Sequence, residues 1–414
     1  MDVIYTRQYH YNPTHLFLLG IVGYVALLCG VAVIESGALK ALANGFAVLL
    51  FLVLISVTIF LPRESRRLTG FSAALFLYYT AIAFSVVVSP DYFSAAGVLK
   101  LVMAPAFFLI GGAYEANRSL WTWDKPETRL MFWSLALLPL LVLAWQTVTG
   151  TGGFVPQSSY DSSEDGVAFG IFTNRNNAAL YAVCLLALYN VLSGRPVKNV
   201  LFILLLCAAF GTLGVLVAAI CALTVTVGGR GAVKVLALAG IAIVSAYLLM
   251  PEAPGLSRIT PVVQSLVLLH EGAINLRAVT FGQLVEILGT TDLSFLFRLK
   301  HWLNLWDLYA SASGYEWLFG LGIGSSVALS SIGMVPHNDY LRMLFECGIV
   351  GLAGFVAMIG SIVYLSGRRW ESVPLFIIAF YFLSENLVNN YLAMALFFFC
   401  AGSLATRAGE TKDE

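Results

Sequence analysis

Residues 16–34, LFLLGIVGYVALLCGVAVI, contain no charged side chain. A helix of that length rises about 28 Å, close to the hydrocarbon thickness of a bilayer. In lipid the backbone of such a run satisfies its own N–H and C=O groups by coiling into a helix. Similar runs recur at 41–62, 71–88, 96–114, 130–148, 177–193, 235–250, 342–366, 373–389 and 391–406. Only 11% of the 414 residues are charged, against roughly 25% in a soluble domain. Apolar residues make up 59% of the chain, and the mean hydropathy is +0.85. These values describe an all-α polytopic membrane protein. The first run is followed by Glu35-Ser36-Gly37 and no small-residue processing site, so it reads as a span and not as a cleaved leader.

Lys and Arg in short loops set orientation. Arg63, Arg66 and Arg67 follow the second run, Arg118, Lys125 and Arg129 flank the loop after the fourth, and Arg195 and Lys198 follow the sixth. Arg368 and Arg369 follow 342–366. Loops 35–40 and 89–95 carry no Arg. The basic loops, and the N-terminus with them, therefore read as cytoplasmic. Residues 199–227 lie between Arg195/Lys198 and Arg230/Lys234 and must cross an even number of times. Two short helices, 199–210 and 214–227, meet this condition; a single tilted helix would place Arg230 outside. The count is then about twelve transmembrane helices with both termini cytoplasmic.

Three regions follow: 1–250 with spans one to nine and an external loop at 149–176, an external loop at 251–341, and 342–414 with spans ten to twelve and a cytoplasmic tail. A ninety-residue structureless loop is improbable in a folded chain. Within it, 274–288 and 293–310 carry apolar residues at helical spacing, and PVVQSLVLL (261–269) is too short to span. The region reads as a helical cap. No repeat divides the chain into matching halves. With 23 basic and 23 acidic residues, nothing favours nucleic acid as a partner. Six scattered cysteines show no CxxC or Cys/His ligand spacing, so neither a disulfide framework nor a zinc site is expected.

The densest polar cluster opens VPHNDYLRMLFECGIVGLAG, residues 335–354. Pro336 disfavours a helical Val335, placing His337, Asn338 and Asp339 at a helix start, where Asn and Asp cap free N–H groups. His337 is one of five histidines; the others, His10, His15, His270 and His301, lie in the tail or the cap. An imidazole can take a proton from a hydroxyl at neutral pH. Glu346 would lie further along the same helix and pair with Arg342 at i,i+4. Glu385, Asn386, Asn389 and Asn390 form either a polar outer mouth or a set of interhelical hydrogen bonds. DSSED (161–165) has no second ligand set and no DxD pattern occurs, so no metal or other cofactor is expected.

The pattern HNDYL…E.GIVGL, with FGLGIGS before it, resembles the bacterial O-antigen ligase and polymerase superfamily. FGIFTNRNNAALYA (169–182) is similar to that family's F-x-N-P-N-x-x-A stretch, with Asn174 and Asn176 in register and Arg175 replacing Pro. FRLKHW (297–302) is similar to its R-x-x-x-W element. Where the family commonly carries Ser-Arg-Gly, this chain has Gly211-Thr212-Leu213-Gly214. The resemblance covers roughly residues 165–365.

The resemblance implies a GT-C-like membrane glycosyltransferase in the bacterial inner membrane, its active site facing the periplasm. The donor would be an undecaprenyl-diphosphate-linked glycan and the acceptor a sugar of lipid A–core, completing lipopolysaccharide. His337 would be the general base of an inverting, metal-independent transfer, with arginines meeting the diphosphate. Arg175 and Arg298 have motif support; Arg258 and Arg277 have location alone, and each arginine could instead be an exposed loop residue or a headgroup contact. Asn174, Asn176 and Asn338 join the substrate-binding candidates, as does Lys100, which could reach a phosphate or snorkel to headgroups of the surrounding membrane lipids. An O-antigen or exopolysaccharide polymerase shares this chemistry and uses a lipid-linked repeat as acceptor. A twelve-span transporter is the non-enzymatic alternative.

Overall fold

A computed structural model describes residues 13–59, 69–116, 123–150, 170–172, 174–194, 213–249, 259–289 and 293–410. The described residues are helical and turn segments without a strand. In chain order the helices are α1 (Pro13–Ile34), α2 (Gly37–Ile59), α3 (Thr69–Val88), α4 (Ala95–Ala116), α5 (Pro126–Thr149) and α6 (Arg175–Ser193). These are followed by α7 (Leu213–Val227), α8 (Gly229–Leu249), α9 (Ile259–His270), α10 (Phe281–Leu288) and α11 (Ser294–Ala310). Then come α12 (Gly314–Phe319), α13 (Ser325–Ala328), α14 (Asp339–Ser366), α15 (Val373–Tyr381) and α16 (Tyr391–Glu410).

Eight of the helices among the described residues, α1 to α6, α8 and α14, are long and apolar enough to cross a bilayer. The fold is that of a helical, multi-pass membrane protein. α8 illustrates the point: none of its residues is buried, and Leu238, Ile241 and Leu248 are each more than 60% exposed. A helix that leaves so much apolar surface uncovered belongs in hydrocarbon.

The bundle is held by close backbone approach. Helices α4 and α16 make the most extensive pairing. A Cβ at Gly111 would collide with the Phe399 carbonyl, and one at Gly402 with that of Phe108. Small residues let two helices touch where lipid supplies no hydrophobic drive between them. Phe17 stacks on Phe399 at 4.4 Å, and Phe71 on Phe108 at 3.6 Å, filling the space around this contact. α14 packs chiefly on α3, and α15 on α7.

α14 is broken at Gly348, whose φ of +69° no helix contains. The break frees the carbonyls of Phe345 and Glu346. Leu321 N–H donates to the first at 2.9 Å, Gly322 N–H to the second at 3.2 Å, and Ser85 Oγ to the second at 2.6 Å. The glycine-rich run after α12 therefore has a mechanical role: Gly320, at φ +86°, passes so close to the Glu346 carbonyl that a Cβ would overlap it. A non-helical backbone at this depth is tolerated because protein donors replace the lost helical bonds.

Four expectations need correction. The run 373–389 is not one helix: α15 ends at Tyr381 and a turn over 382–390 precedes α16. The reason is polar. Glu385, Asn386, Asn389 and Asn390 all fall in this turn, where the Asp339 carboxyl group accepts the N–H groups of Leu387 and Val388. The expected helix 274–288 starts only at Phe281. Lys300 Nζ donates to the carbonyls of Leu276 (2.6 Å) and Val279 (2.9 Å), and Thr280 and Gln283 form a capping box. Arg230 and Lys234 lie in the opening turns of α8 and not in a loop before it. His337 stands outside α14, so it does not share a helix with Glu346. Of the pair 199–210 and 214–227, the second is α7 and the first lies outside the described residues.

The segment between α8 and α14 has a small core of its own, Ile274, Leu276, Leu284 and Leu296. A second cluster, Leu305 and Tyr309 with Phe345, fastens α11 to α14. Leu296, His301, Leu305 and Tyr309 form the buried face of α11, and this fixes how α11 presents Arg298.

Candidate functional site

The site is assembled where α6 and α14 begin and the turn after α15 crosses them. Asn338 is the N-cap of α14: its Oδ1 accepts the Leu341 N–H at 3.0 Å. Capping requires an extended residue there, which keeps His337 off the helix. Asp339, fully buried, ties this start to the neighbouring turn. Its N–H donates to Phe382 O at 2.9 Å, and its Oδ2 accepts from Leu387 N (2.6 Å) and Val388 N (3.1 Å). Asn386 Nδ2 donates to Val335 O at 3.4 Å. These bonds carry Glu385 up to His337.

Glu385 is the hub. His337 Nδ1 lies 3.0 Å from Oε2. Arg298 Nη2 donates to Oε1 at 2.6 Å, and Asn176 Nδ2 donates to the same oxygen. The Glu385 side chain is 7% exposed, while those of His337 and Arg298 keep 23% and 29%. A carboxylate only accepts hydrogen bonds, so on a neutral ring Nδ1 is the donor and Nε2 the acceptor. That is the arrangement of an oriented base. The carboxylate also holds the Arg298 guanidinium, a group able to meet an anion with paired donors.

A cavity of about 300 Å³ opens beside this cluster. Asn176, Arg298, Ser384 and Glu385 form its polar wall, and Val217, Phe380 and Leu383 part of its apolar wall. His337 is not on the wall and meets it through Glu385.

One turn along α11 from Arg298, His301 is buried at 1% exposure, its Nε2 without a hydrogen-bond partner among the described residues. Burial, with a smaller effect from the nearby His337, lowers its pKa to about 4. The RLKHW spacing, which puts Arg298 and His301 at i,i+3, was the available signal for it.

Of the sequence candidates, His337, Arg298 and Asn176 come together. Asn174 and Asn338 act as caps; Asn174 Oδ1 accepts the Asn177 N–H at 2.9 Å. Arg277 makes an exposed two-point pair with Asp307, 2.7 and 2.8 Å, and lines neither cavity. Its hydrogen bonds hold the Asp307 carboxyl below its usual range. Lys100 lines a separate cavity on the other side of the 382–390 turn. Arg175 is the first residue of α6, with its side chain outside the described residues, as is Arg258 entirely. Arg342 and Glu346 pair as expected, Nε to Oε2 at 3.0 Å, with Ser326 Oγ on the other carboxylate oxygen. The sequence offers Glu385 as part of a polar mouth or of a set of interhelical hydrogen bonds; nothing in its local sequence marks it as the residue that three distant side chains share.

No protein-family model matches the chain, and comparison with curated proteins finds no relative.

Proposed function

We propose that this protein is a membrane glycosyltransferase of the O-antigen ligase type. It transfers a glycan from undecaprenyl diphosphate to a sugar hydroxyl of lipid A–core at the periplasmic face of the bacterial inner membrane. The observation that carries the reading is the shared Glu385 carboxylate, with His337 on one oxygen and Arg298 and Asn176 on the other. It supports a base and an anion-binding cation held in one rigid unit at the end of the bundle where α6, α14 and α16 begin.

In this reading His337 Nε2 takes the proton of the acceptor hydroxyl. The hydroxyl oxygen forms its bond to the anomeric carbon from the face opposite the leaving group, and the anomeric C–O bond to phosphate breaks with inversion. Undecaprenyl diphosphate departs with the electron pair. Arg298 meets the charge that grows on it. In this reading the chain crosses about twelve times with both termini cytoplasmic and this end faces outside; the basic loops at the other end support that orientation.

The test is transfer by the purified full chain, supplied with a lipid-linked glycan and separately with lipid A–core or a second lipid-linked repeat. Product on lipid A–core supports the ligase. Product only on the repeat moves the assignment to a polymerase, and none with either acceptor removes the transferase reading. His337→Ala should lose at least about a hundredfold in rate.

A further inference from the structure

Where the 382–390 turn meets the start of α14, two buried oxygens lack a donor. Asp339 is fully buried. Its Oδ2 accepts the N–H groups of Leu387 and Val388, while its Oδ1 has no hydrogen-bond partner among the described residues. Asn386 directly precedes Leu387. Its Nδ2 donates to Val335 O at 3.4 Å, while its Oδ1 is buried and equally without a partner. Buried acceptors are costly to leave bare. Turning the Asn386 amide round would set its oxygen against the Val335 carbonyl and so would only move the deficit.

Charge points the same way. The charged groups that act on Asp339 are Arg342 on its own helix and Glu385 on the turn. The phenols of Tyr340 and, from α3, Tyr78 complete its titratable neighbours. Arg342 is paired with Glu346 at 3.0 Å and donates from Nη1 to Asn389 Oδ1. Glu385 brings a second negative charge, itself held by Arg298 and His337. Two backbone N–H groups and the start of α14 favour a charge on Asp339. Full burial, a bare oxygen and the nearby Glu385 oppose it. A neutral carboxyl group settles both deficits at once, because it keeps an acceptor oxygen for the two N–H groups and gains one O–H donor.

We propose that Asp339 is a protonated carboxylic acid and serves as a positioning residue for the His337–Glu385 pair. Its Oδ1–H donates to Asn386 Oδ1, and its Oδ2 accepts from Leu387 and Val388. Three consecutive residues of the turn are thereby clamped to the first residue of α14 by a group without charge, and Glu385 is the next residue along. An ionised Asp339 would set a bare negative oxygen against Asn386 Oδ1 and near the negative charge of Glu385. It would push away the turn that carries Glu385 to His337. The protonation state stands apart from the glycan-transfer reading; only its effect on rate rests on that reading.

The experiment is infrared difference spectroscopy of the detergent-solubilised full chain at neutral pH, wild type against Asp339→Asn. The wild-type side of the difference should hold the C=O stretch of a protonated carboxylic acid and no carboxylate bands. Asparagine has the shape and hydrogen-bonding pattern of the neutral acid: its Oδ1 accepts the two N–H groups and its Nδ2 donates to Asn386 Oδ1. Asp339→Asn should therefore melt as the wild type does and keep glycan transfer within about twofold. Asp339→Ala, which removes both sets of contacts, should melt lower and lose at least about tenfold in rate. Carboxylate bands on the wild-type side, or an Asp339→Asn protein that melts or transfers as poorly as Asp339→Ala, overturn the proposal. Should the wild type transfer no glycan, the transfer reading falls, while the infrared and melting results still decide this one.

Discussion

His337 Nδ1 and Glu385 Oε2 stand 3.0 Å apart although 48 residues separate them in the chain. The contact exists because Asp339 draws the Leu387 and Val388 N–H groups onto the start of α14. It leaves Nε2 as the acceptor of a neutral ring, and it gives the same carboxylate to Arg298 and Asn176.

Glu385→Gln keeps the shape of this hub and removes its charge. The amide can donate as well as accept, so the ring loses its enforced tautomer. Glycan transfer should fall by about a hundredfold or more. The Glu385→Gln/His337→Ala double variant should be little worse than the poorer single variant, since both remove one unit. Single-turnover assays on the three proteins check this; additive losses would separate Glu385 from the base.

The two arginines of the loop should part company. Arg298→Ala removes the cation paired with the buried Glu385 carboxylate and should lower transfer at least about tenfold. Arg277→Ala breaks only a pair whose side chains are 59% and 45% exposed. It should leave both the rate and the thermal midpoint where they were. Parallel rate and melting measurements decide.

Gly348→Ala meets two penalties, a positive φ and a Cβ driven into the Leu318 carbonyl. It should cost at least about 2 kcal/mol. Gly360, in the same helix, has nothing within 4 Å of an added Cβ. There alanine should be neutral or stabilise by up to about 1 kcal/mol. Thermal unfolding in detergent compares the two.

His301 makes stability depend on pH in one direction. Folded, it stays neutral down to about pH 4; unfolded, it binds a proton near pH 6.5. Below pH 6.5 the unfolded chain holds more protons, so stability present above that value is lost as pH falls toward 4. The loss amounts to about 3 kcal/mol at most. His301→Phe should flatten this part of a melting-temperature profile recorded from pH 7 to pH 4. An unchanged slope would assign the acid sensitivity to other groups.

Much of the membrane architecture was legible in the chain because lipid imposes a local rule. An apolar run of about twenty residues must satisfy its own backbone, so composition alone locates α1 to α6, α8 and α14. The cap residue Asn338 and the Arg342–Glu346 pair were legible for a similar reason, since each depends on a spacing of three or four residues. The run 373–389 was misread because its hydropathy is that of a span. The competing term, a buried Asp339 carboxyl group seeking N–H donors, comes from another helix.

The site divides along the same line. His337, Arg298 and Asn176 belong to motifs that sequence can display, each with its own residue type and neighbours. Glu385 as their common partner, His301 as a buried neighbour, and the pairing of Asp339 with the turn at 386–388 depend on groups that meet only after the helices pack. Sequence determined which segments enter the bilayer, since transfer of a run into hydrocarbon depends on that run's own atoms. Tertiary structure alone decided which polar groups share a carboxylate or a cavity, since electrostatic pairing depends on distance through space.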